Sequence, residues 1–210
     1  MKILILGASG LTGRLLVAKA LAQHHEVTAL VRDPSKLQVV HEKLKTLTGD
    51  ALDKEILRKA LAGQDAVLSA LGRGKSLKSL NLITHAVSVL IPAMQQSNVK
   101  RLIFLSSIGV GETFVQANLL QKIIFRTLLK NIFADKTRAE KQIQSSTLDW
   151  TLVHPVVLTN EPGTGKYQTG EVLPMKGMPK ISRDDVADFM TRQLSDHTYV
   201  KKIAILKSSI

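Results

Sequence analysis

Short apolar runs alternate along this chain with longer stretches in which apolar residues recur every three or four positions. That alternation predicts strands interleaved with helices. Lys2-Ile3-Leu4-Ile5-Leu6 is a β-forming run that breaks into Gly7-Ala8-Ser9-Gly10-Leu11-Thr12-Gly13, and the helix formers from Leu15 to Leu21 follow. Glu26 to Val31 reads as a second strand that Arg32-Asp33-Pro34 stops, with a short helix starting at Ser35. Leu44 to Thr48 is a third strand closed by Gly49-Asp50, and Asp53 caps a helix that runs to Ala62 before Gly63. Asp65 to Leu71 is apolar enough for a strand covered on both faces. Leu80 to Gln96 is helical, with Pro92 implying a kink or a late restart. Arg101 to Leu105 is the fifth strand, Asn118 to Ser145 a long helical stretch, and Trp150 to Val153 the sixth strand, ending at His154-Pro155. A Gly/Pro-rich segment from Asn160 to Pro179 is expected to hold a small hairpin around Tyr167. Ser182 to Asp185 opens a final helix with capping chemistry, and Val200 to Leu206 is the last strand.

This order specifies an α/β fold: a Rossmann-like, doubly wound parallel sheet in a single domain over residues 1–210. Residues from about 155 to 181 form a substrate-side flap, hinged at Gly163-Thr164-Gly165. Ligands of such sheets bind beyond the carboxyl ends of the strands. The glycines between the first strand and the first helix are therefore the first candidate site. Free N–H groups and the positive end of a helix dipole face outward there, which suits a diphosphate. Gly7 permits the tight turn, Gly10 lets the diphosphate approach the backbone, and Gly13 lets the helix pack against the sheet. Ser9, Leu11 and Thr12 complete the loop.

Composition narrows the alternatives. The chain has 210 residues, 44% hydrophobic, and no cysteine, so thiolate metal sites and disulfides are excluded. No signal peptide and no run of about 18 uncharged apolar residues appears, so a cytoplasmic protein without membrane contact is expected. The net charge of +12 raises the question of a polyanionic partner, yet the lysines are dispersed and only 4% of residues are aromatic. Basic charge without stacking groups argues for a solvated surface over nucleic-acid binding. The histidines show no metal-ligand spacing. Ser69-Ala70-Leu71-Gly72-Arg73-Gly74-Lys75-Ser76 approaches a P-loop but has serine where its first glycine belongs, and an NTPase is rejected.

Together the glycine loop, Leu30-Val31-Arg32-Asp33, Gly49-Asp50, Leu71-Gly72, Ser106-Ser107 and His154-Pro155 resemble the atypical short-chain dehydrogenase/reductases. Within them the chain is similar to the NAD(P)H-binding group that contains biliverdin reductase B/flavin reductase. The resemblance spans nearly the whole chain. It implies a reductase that takes hydride from NADPH to a small planar acceptor, FMN or another flavin, or a linear tetrapyrrole. The alternative is a non-catalytic NAD(P)H sensor resembling the NmrA-like regulators. A monomer or homodimer is expected.

The resemblance also assigns residues. Asp50 and Ala51 flank the adenine; Leu71, Gly72 and Arg73 run beside the ribose and pyrophosphate. Ser106 adjoins the cofactor, and Pro155, Val156 and Val157 line the nicotinamide pocket. Arg32 stands where NAD-specific folds place a carboxylate, and its guanidinium can pair with a 2′-phosphate, although an inward Asp33 would oppose it. Ser107 is the catalytic hydroxyl position. Lys136 is the counterpart of the lysine in Tyr-x-x-x-Lys, placed along the pattern by Glu140 and Leu148-Asp149-Trp150, but Ile132 stands where the tyrosine belongs. The usual proton donor is missing, which favours an acceptor whose proton comes from water. His154 is an orienting residue and a candidate acid. Leu119, Leu120, Ile123, Ile124, Leu128, Leu129, Ile132 and Phe133 form an apolar helical face expected to be core, with a planar substrate or second subunit as the other occupants.

Overall fold

The computed structural model describes residues 1–72, 81–116, 122–123, 127 and 129–209. Arg73, the P-loop-like stretch beyond Gly72, and Leu119, Leu120, Ile124 and Leu128 of the apolar face lie outside the described residues.

Strands β1 (Lys2–Leu6), β2 (Glu26–Val31), β3 (Leu44–Thr48), β4 (Ala66–Ser69), β5 (Arg101–Leu105) and β6 (Asp149–Pro155) follow the expected runs closely. Between and after them come helices α1 (Leu11–Ala22), α2 (Lys54–Leu61), α3 (Leu82–Gln96), α4 (Lys130–Gln144) and α5 (Arg183–Arg192). Short strands β7 (Val157–Thr159), β8 (Tyr167–Gly170) and β9 (Lys180–Ser182) precede the long β10 (Lys202–Ser208). The main sheet has the order β3-β2-β1-β4-β5-β6-β10-β8 and is parallel except at its last edge. The order reverses beside β1, which pairs with both β2 and β4, and a crevice forms at that switch point.

Alternation along each strand divides the core between the two faces. Ile3, Ile5, Ile103 and Leu105 point to the layer of α1 and α5, where Leu16, Val17, Val186 and Met190 pack. Leu4, Leu6, Leu102 and Phe104 point to α2, α3 and α4, against Leu57, Val87, Leu90 and Ile143. Period-two alternation with both faces apolar is why these strands read as continuous hydrophobic runs. Asp53 caps α2 as expected, its Oδ1 accepting the N–H groups of Glu55 and Ile56. Helix α3 is continuous through Pro92.

Three expectations are corrected. Tyr167 is not in a hairpin of its own: β8 pairs antiparallel with β10 at the edge of the main sheet, while β7 and β9 form a separate parallel pair. The Tyr167 ring packs edge-to-face on Phe189, which draws the segment onto the fold. Gly163-Thr164-Gly165 is pinned instead of free, because the Asp185 carboxylate accepts the N–H groups of Thr164 and Gly165 at 3.2 and 2.8 Å. The described members of the apolar helical face are not core: Ile123 is exposed, and Leu129, Ile132 and Phe133 are half-buried. The buried side of α4 is instead Asp135, Ala139, Glu140 and Ile143.

Asp135 has a structural task that fixes α4. The first residue before α3, Asn81, offers no side-chain cap, and Asp135 supplies one from the neighbouring helix. Its carboxylate accepts Ile83 N–H at 3.1 Å, Thr84 N–H at 3.0 Å and the Thr84 hydroxyl at 2.6 Å. Asp135→Ala is expected to cost about 1–3 kcal/mol through the buried donors left unpaired, lowering Tm by roughly 2–12 °C in a thermal melt. An unchanged melting curve would show that water replaces the carboxylate.

Candidate functional site

Beyond the end of β1, Gly7 holds φ +74°, and a Cβ there would sit 2.6 Å from the Ala70 carbonyl oxygen. A Cβ on Gly13 would lie 2.0 Å from the oxygen of Gly7. Only glycine lets the turn, β4 and α1 approach this closely. Gly10 N–H donates to Gly7 O at 3.0 Å and tightens the turn. Helix α1 then begins with no side-chain cap and no acidic residue in its first turn. The N–H groups of Leu11, Thr12 and Gly13 find no acceptor among the described residues. Ser9 is half-buried, Thr12 is buried, and Leu11 is 59% exposed over the cradle. Unpaired donors at the positive end of a helix, with backbone open above them, make an anion site.

Arg32 is exposed at the end of β2. The neighbouring Asp33 bonds to the residues that follow it. Its Oδ1 accepts Ser35 N–H at 3.1 Å and the Ser35 hydroxyl at 2.6 Å, capping the 3₁₀ turn Pro34–Lys36. Lys36 Nζ pairs with its other oxygen at 3.3 Å. The Ser35 hydroxyl, then Lys36, lowers the Asp33 pKa below the ordinary carboxylate value. The carboxylate that could oppose a phosphate at Arg32 is therefore already committed.

Asp50 is exposed beyond β3, accepting Leu52 N–H at 3.0 Å in an Asx turn, and Ala51 is half-buried beside it. Leu71 is half-buried and Gly72 exposed at the end of β4, across the crevice from Gly7. At the end of β5, Ser106 is buried and Ser107 half-buried; among the described residues the Ser107 hydroxyl has only a long 3.4 Å contact to Ile108 O. Pro155 and Val156 are buried at the end of β6, and Val157 is partly exposed. Ser106 N–H donates to Val153 O and Ile108 N–H to Pro155 O, so the β5 and β6 ends remain joined beyond the strands.

Lys136 projects from α4, one turn before Glu140. Loss of water around the ammonium group lowers its pKa to about 8, against the opposing pull of Glu140 and Asp135. It makes no hydrogen bond or ion pair among the described residues. Ile132 is half-buried and supplies no hydroxyl. The chain's two tyrosines do not substitute for one: Tyr167 donates to Asp188 at 2.7 Å and Tyr199 to Thr169 at 3.0 Å, at the far edge of the sheet. Burial and then Asp188 push the Tyr167 phenol pKa up, further from a proton-donating range.

His154 is fully buried, and its ring faces Thr113 and Glu140. Sequence reading used Glu140 only to align Lys136 and missed Thr113 altogether; a threonine in a short 3₁₀ turn carries no pattern of its own. A groove of about 660 Å³, lined by Lys2, Glu26, Lys43, Lys45, Lys59 and Gln64, opens at the amino ends of β1–β3. It lies on the side of the sheet away from the glycine cradle. Among the described residues no group of His, Asp or Glu is disposed to hold a metal ion, and no helix is long and apolar enough to cross a membrane.

A family model described as NAD(P)H-binding matches residues 7–197, from the first glycine of the cradle to beyond α5. The chain belongs to this NAD(P)H-binding family. YwnB of Bacillus subtilis is 28% identical over 197 residues, covering 89% of each chain. Among solved structures, ChuY of Escherichia coli O157:H7, an anaerobillin reductase, superposes with a TM-score of 0.83 at 22% identity, covering 100% of this chain and 98% of its own. A short-chain dehydrogenase/reductase from Veillonella parvula in complex with NADP gives 0.82 at 19% identity, with 99% and 94% covered. These two likenesses establish the shared fold. The family match carries the expected resemblance to NAD(P)H-dependent oxidoreductases at the level of family and cofactor class.

Proposed function

We infer that the protein is an NADPH-dependent reductase that delivers hydride to a planar acceptor, a flavin or a linear tetrapyrrole. The observation that carries the cofactor is the cradle of Gly7, Gly10 and Gly13 with its three unpaired N–H groups, a space that a Cβ would fill. Those donors hold the diphosphate, and Arg32, relieved of Asp33, holds the 2′-phosphate that distinguishes NADPH from NADH. NADPH supplies the hydride when bound. Ser107, Pro155 and Val157 sit at the ends of β5 and β6, on the other side of the switch point, and orient the nicotinamide toward the acceptor. Their contribution is proximity and orientation.

Proton supply is a separate matter. With neither tyrosine near α4, an alcohol–ketone reaction lacks its usual acid. An acceptor that delocalises the incoming electrons over a conjugated ring takes its proton late, from water or from Lys136. One structural neighbour, ChuY, is an anaerobillin reductase, which supports the acceptor class.

Lys136 makes this reading testable by pH. Its ammonium form is present below about pH 8 and lost above it. Turnover is expected to fall as pH rises through about 8, and Lys136→Met to lower kcat by about 10–100-fold and to flatten that limb. Identical pH profiles for the two proteins would remove Lys136 from the reaction. The central experiment is NADPH oxidation with FMN and with biliverdin as acceptors, alongside calorimetric NADPH binding. Turnover with either supports the reductase. Tight binding without turnover on any acceptor selects the NAD(P)H sensor instead.

A further inference from the structure

Glu140 and His154 are buried to 2% and 0% exposure, yet neither reaches the surface of the crevice. One Glu140 oxygen, Oε1, receives the Ser106 hydroxyl from the end of β5 and stands 3.0 Å from His154 Nε2 in β6. The approach lies off the hydrogen-bond axis of Nε2, and no other acceptor serves that nitrogen among the described residues. The contact is a close approach of carboxylate and ring without a directed hydrogen bond. On the other side of the ring, Nδ1 is 3.0 Å from Thr113 Oγ1. Thr113 Oγ1 also lies 2.8 Å from Val110 O and accepts Gly109 N–H at 3.0 Å.

Hydrogen counting limits the arrangement. Thr113 has one hydroxyl hydrogen for two neighbours: it donates to Val110 O and accepts from Nδ1–H, or it donates to Nδ1 and the ring hydrogen sits on Nε2. In the second arrangement Nε2, with its hydrogen, lies 3.0 Å from Glu140 Oε1. In either, the pair, a carboxylate and an imidazole, meets out of water, where an unpartnered charge would be costly.

The residues it joins are those around the nicotinamide end. Ser106 adjoins Ser107, and His154 adjoins Pro155. Thr113 belongs to the 3₁₀ turn Gly111–Gln116. Gln116 in turn donates to Glu171 O at 3.0 Å and accepts Leu173 N–H at 3.3 Å, extending the linkage to the segment before β9. Gly111 closes the group: a Cβ there would come 3.0 Å from Glu140 Oε2. The glycine cradle, at the end of β1, and Arg32, at the end of β2, share none of these contacts.

We propose that Glu140 and His154 are positioning residues for the nicotinamide half of the site, acting through Ser106-Ser107, Pro155 and the 111–116 turn while leaving the diphosphate half untouched. The inference rests on NADPH being the ligand. Its test separates the two halves of the cofactor. NADPH affinity is measured by calorimetry, and the fluorescence of the bound reduced nicotinamide reports the environment of that ring alone, with no need for turnover.

Glu140→Gln keeps the side-chain volume and an acceptor for Ser106 but removes the charge. Its NADPH Kd is expected to stay within about threefold of wild type, while bound-state nicotinamide fluorescence falls to that of free NADPH and kcat with FMN drops by at least about tenfold per binding site. Thr113→Val removes only the hydroxyl facing Nδ1 and is expected to move the same two readouts less, in the same direction. It serves where Glu140→Gln fails to fold. Wild-type fluorescence in a folded variant overturns the proposal, and so does a loss of affinity parallel to the loss of fluorescence. Failure of the wild-type protein to bind NADPH overturns the cofactor reading itself, and this inference with it.

Discussion

Gly13→Ala is expected to weaken NADPH binding by about 100-fold, with a loss of stability of roughly 1–3 kcal/mol. The added Cβ would lie 2.0 Å from Gly7 O, 2.8 Å from Gly7 C and 2.9 Å from the Ala8 Cα. All three are backbone atoms, so no side chain can swing aside. Relief requires the first turn of α1 to move off β1, and that turn carries the three unpaired N–H groups that we assign to the diphosphate. A displacement of about 1 Å in a site that acts by position has effects of about this size. Melting should fall by about 2–12 °C at this chain length, and calorimetry should show the lost affinity for NADPH and NADH alike. If the variant binds either dinucleotide as the wild type does, the diphosphate is not on this helix.

The second large effect is selective where the first is general. Arg32→Ala is expected to lower NADPH affinity by about 10–100-fold and to leave NADH within about threefold, since a charge-assisted hydrogen bond to a phosphate is worth about 1.5–3 kcal/mol. Exposure of Arg32 argues for the lower end of that range, because salt and water screen the pair. The structure adds a reason for expecting a preference at all. Asp33 would repel the 2′-phosphate if it faced Arg32, but Ser35 and Lys36 hold it as the cap of the next turn. The lowered Asp33 pKa keeps that carboxylate ionised, and so capping, below the ordinary carboxylate range as well as at neutral pH. Equal loss of NADPH and NADH affinity in Arg32→Ala would mean that the guanidinium meets the adenine and not the phosphate.

The two halves of the site differed in how far the chain announced them. At the glycine turn and the end of β2, the relevant contacts join residues close in sequence: Gly7 to Gly10, Gly10 to Arg14, Asp33 to Ser35. Glycine spacing after an apolar run is enough to specify such a turn. At the ends of β5 and β6 the contacts run between Ser106 and Glu140, Thr113 and His154, Gln116 and Leu173. Each joins separate elements, and no local pattern tells a histidine at a strand end whether it meets solvent or a carboxylate from another helix. The same distinction explains the errors. Gly163-Thr164-Gly165 has the composition of a hinge, yet Asp185, from the start of α5, fastens it. Of the apolar face, the described Ile132 and Phe133 have core spacing, but Asp135 fastens α4 so that a different stripe, with Glu140 on it, is buried.

By itself, then, the sequence determined what period and local backbone chemistry can encode. It specified strands buried on both faces, helices with their caps, the glycine turn and the cofactor class that the turn admits. Tertiary structure alone decided which charges meet. It turned Asp33 from rival to cap, drew the water away from Lys136, and set Glu140 against His154 inside the core. The reason is that hydrogen-bonding geometry over a few residues is fixed by the chain's own dihedrals, whereas the environment of a side-chain charge depends on what other elements bring beside it and how much water they exclude.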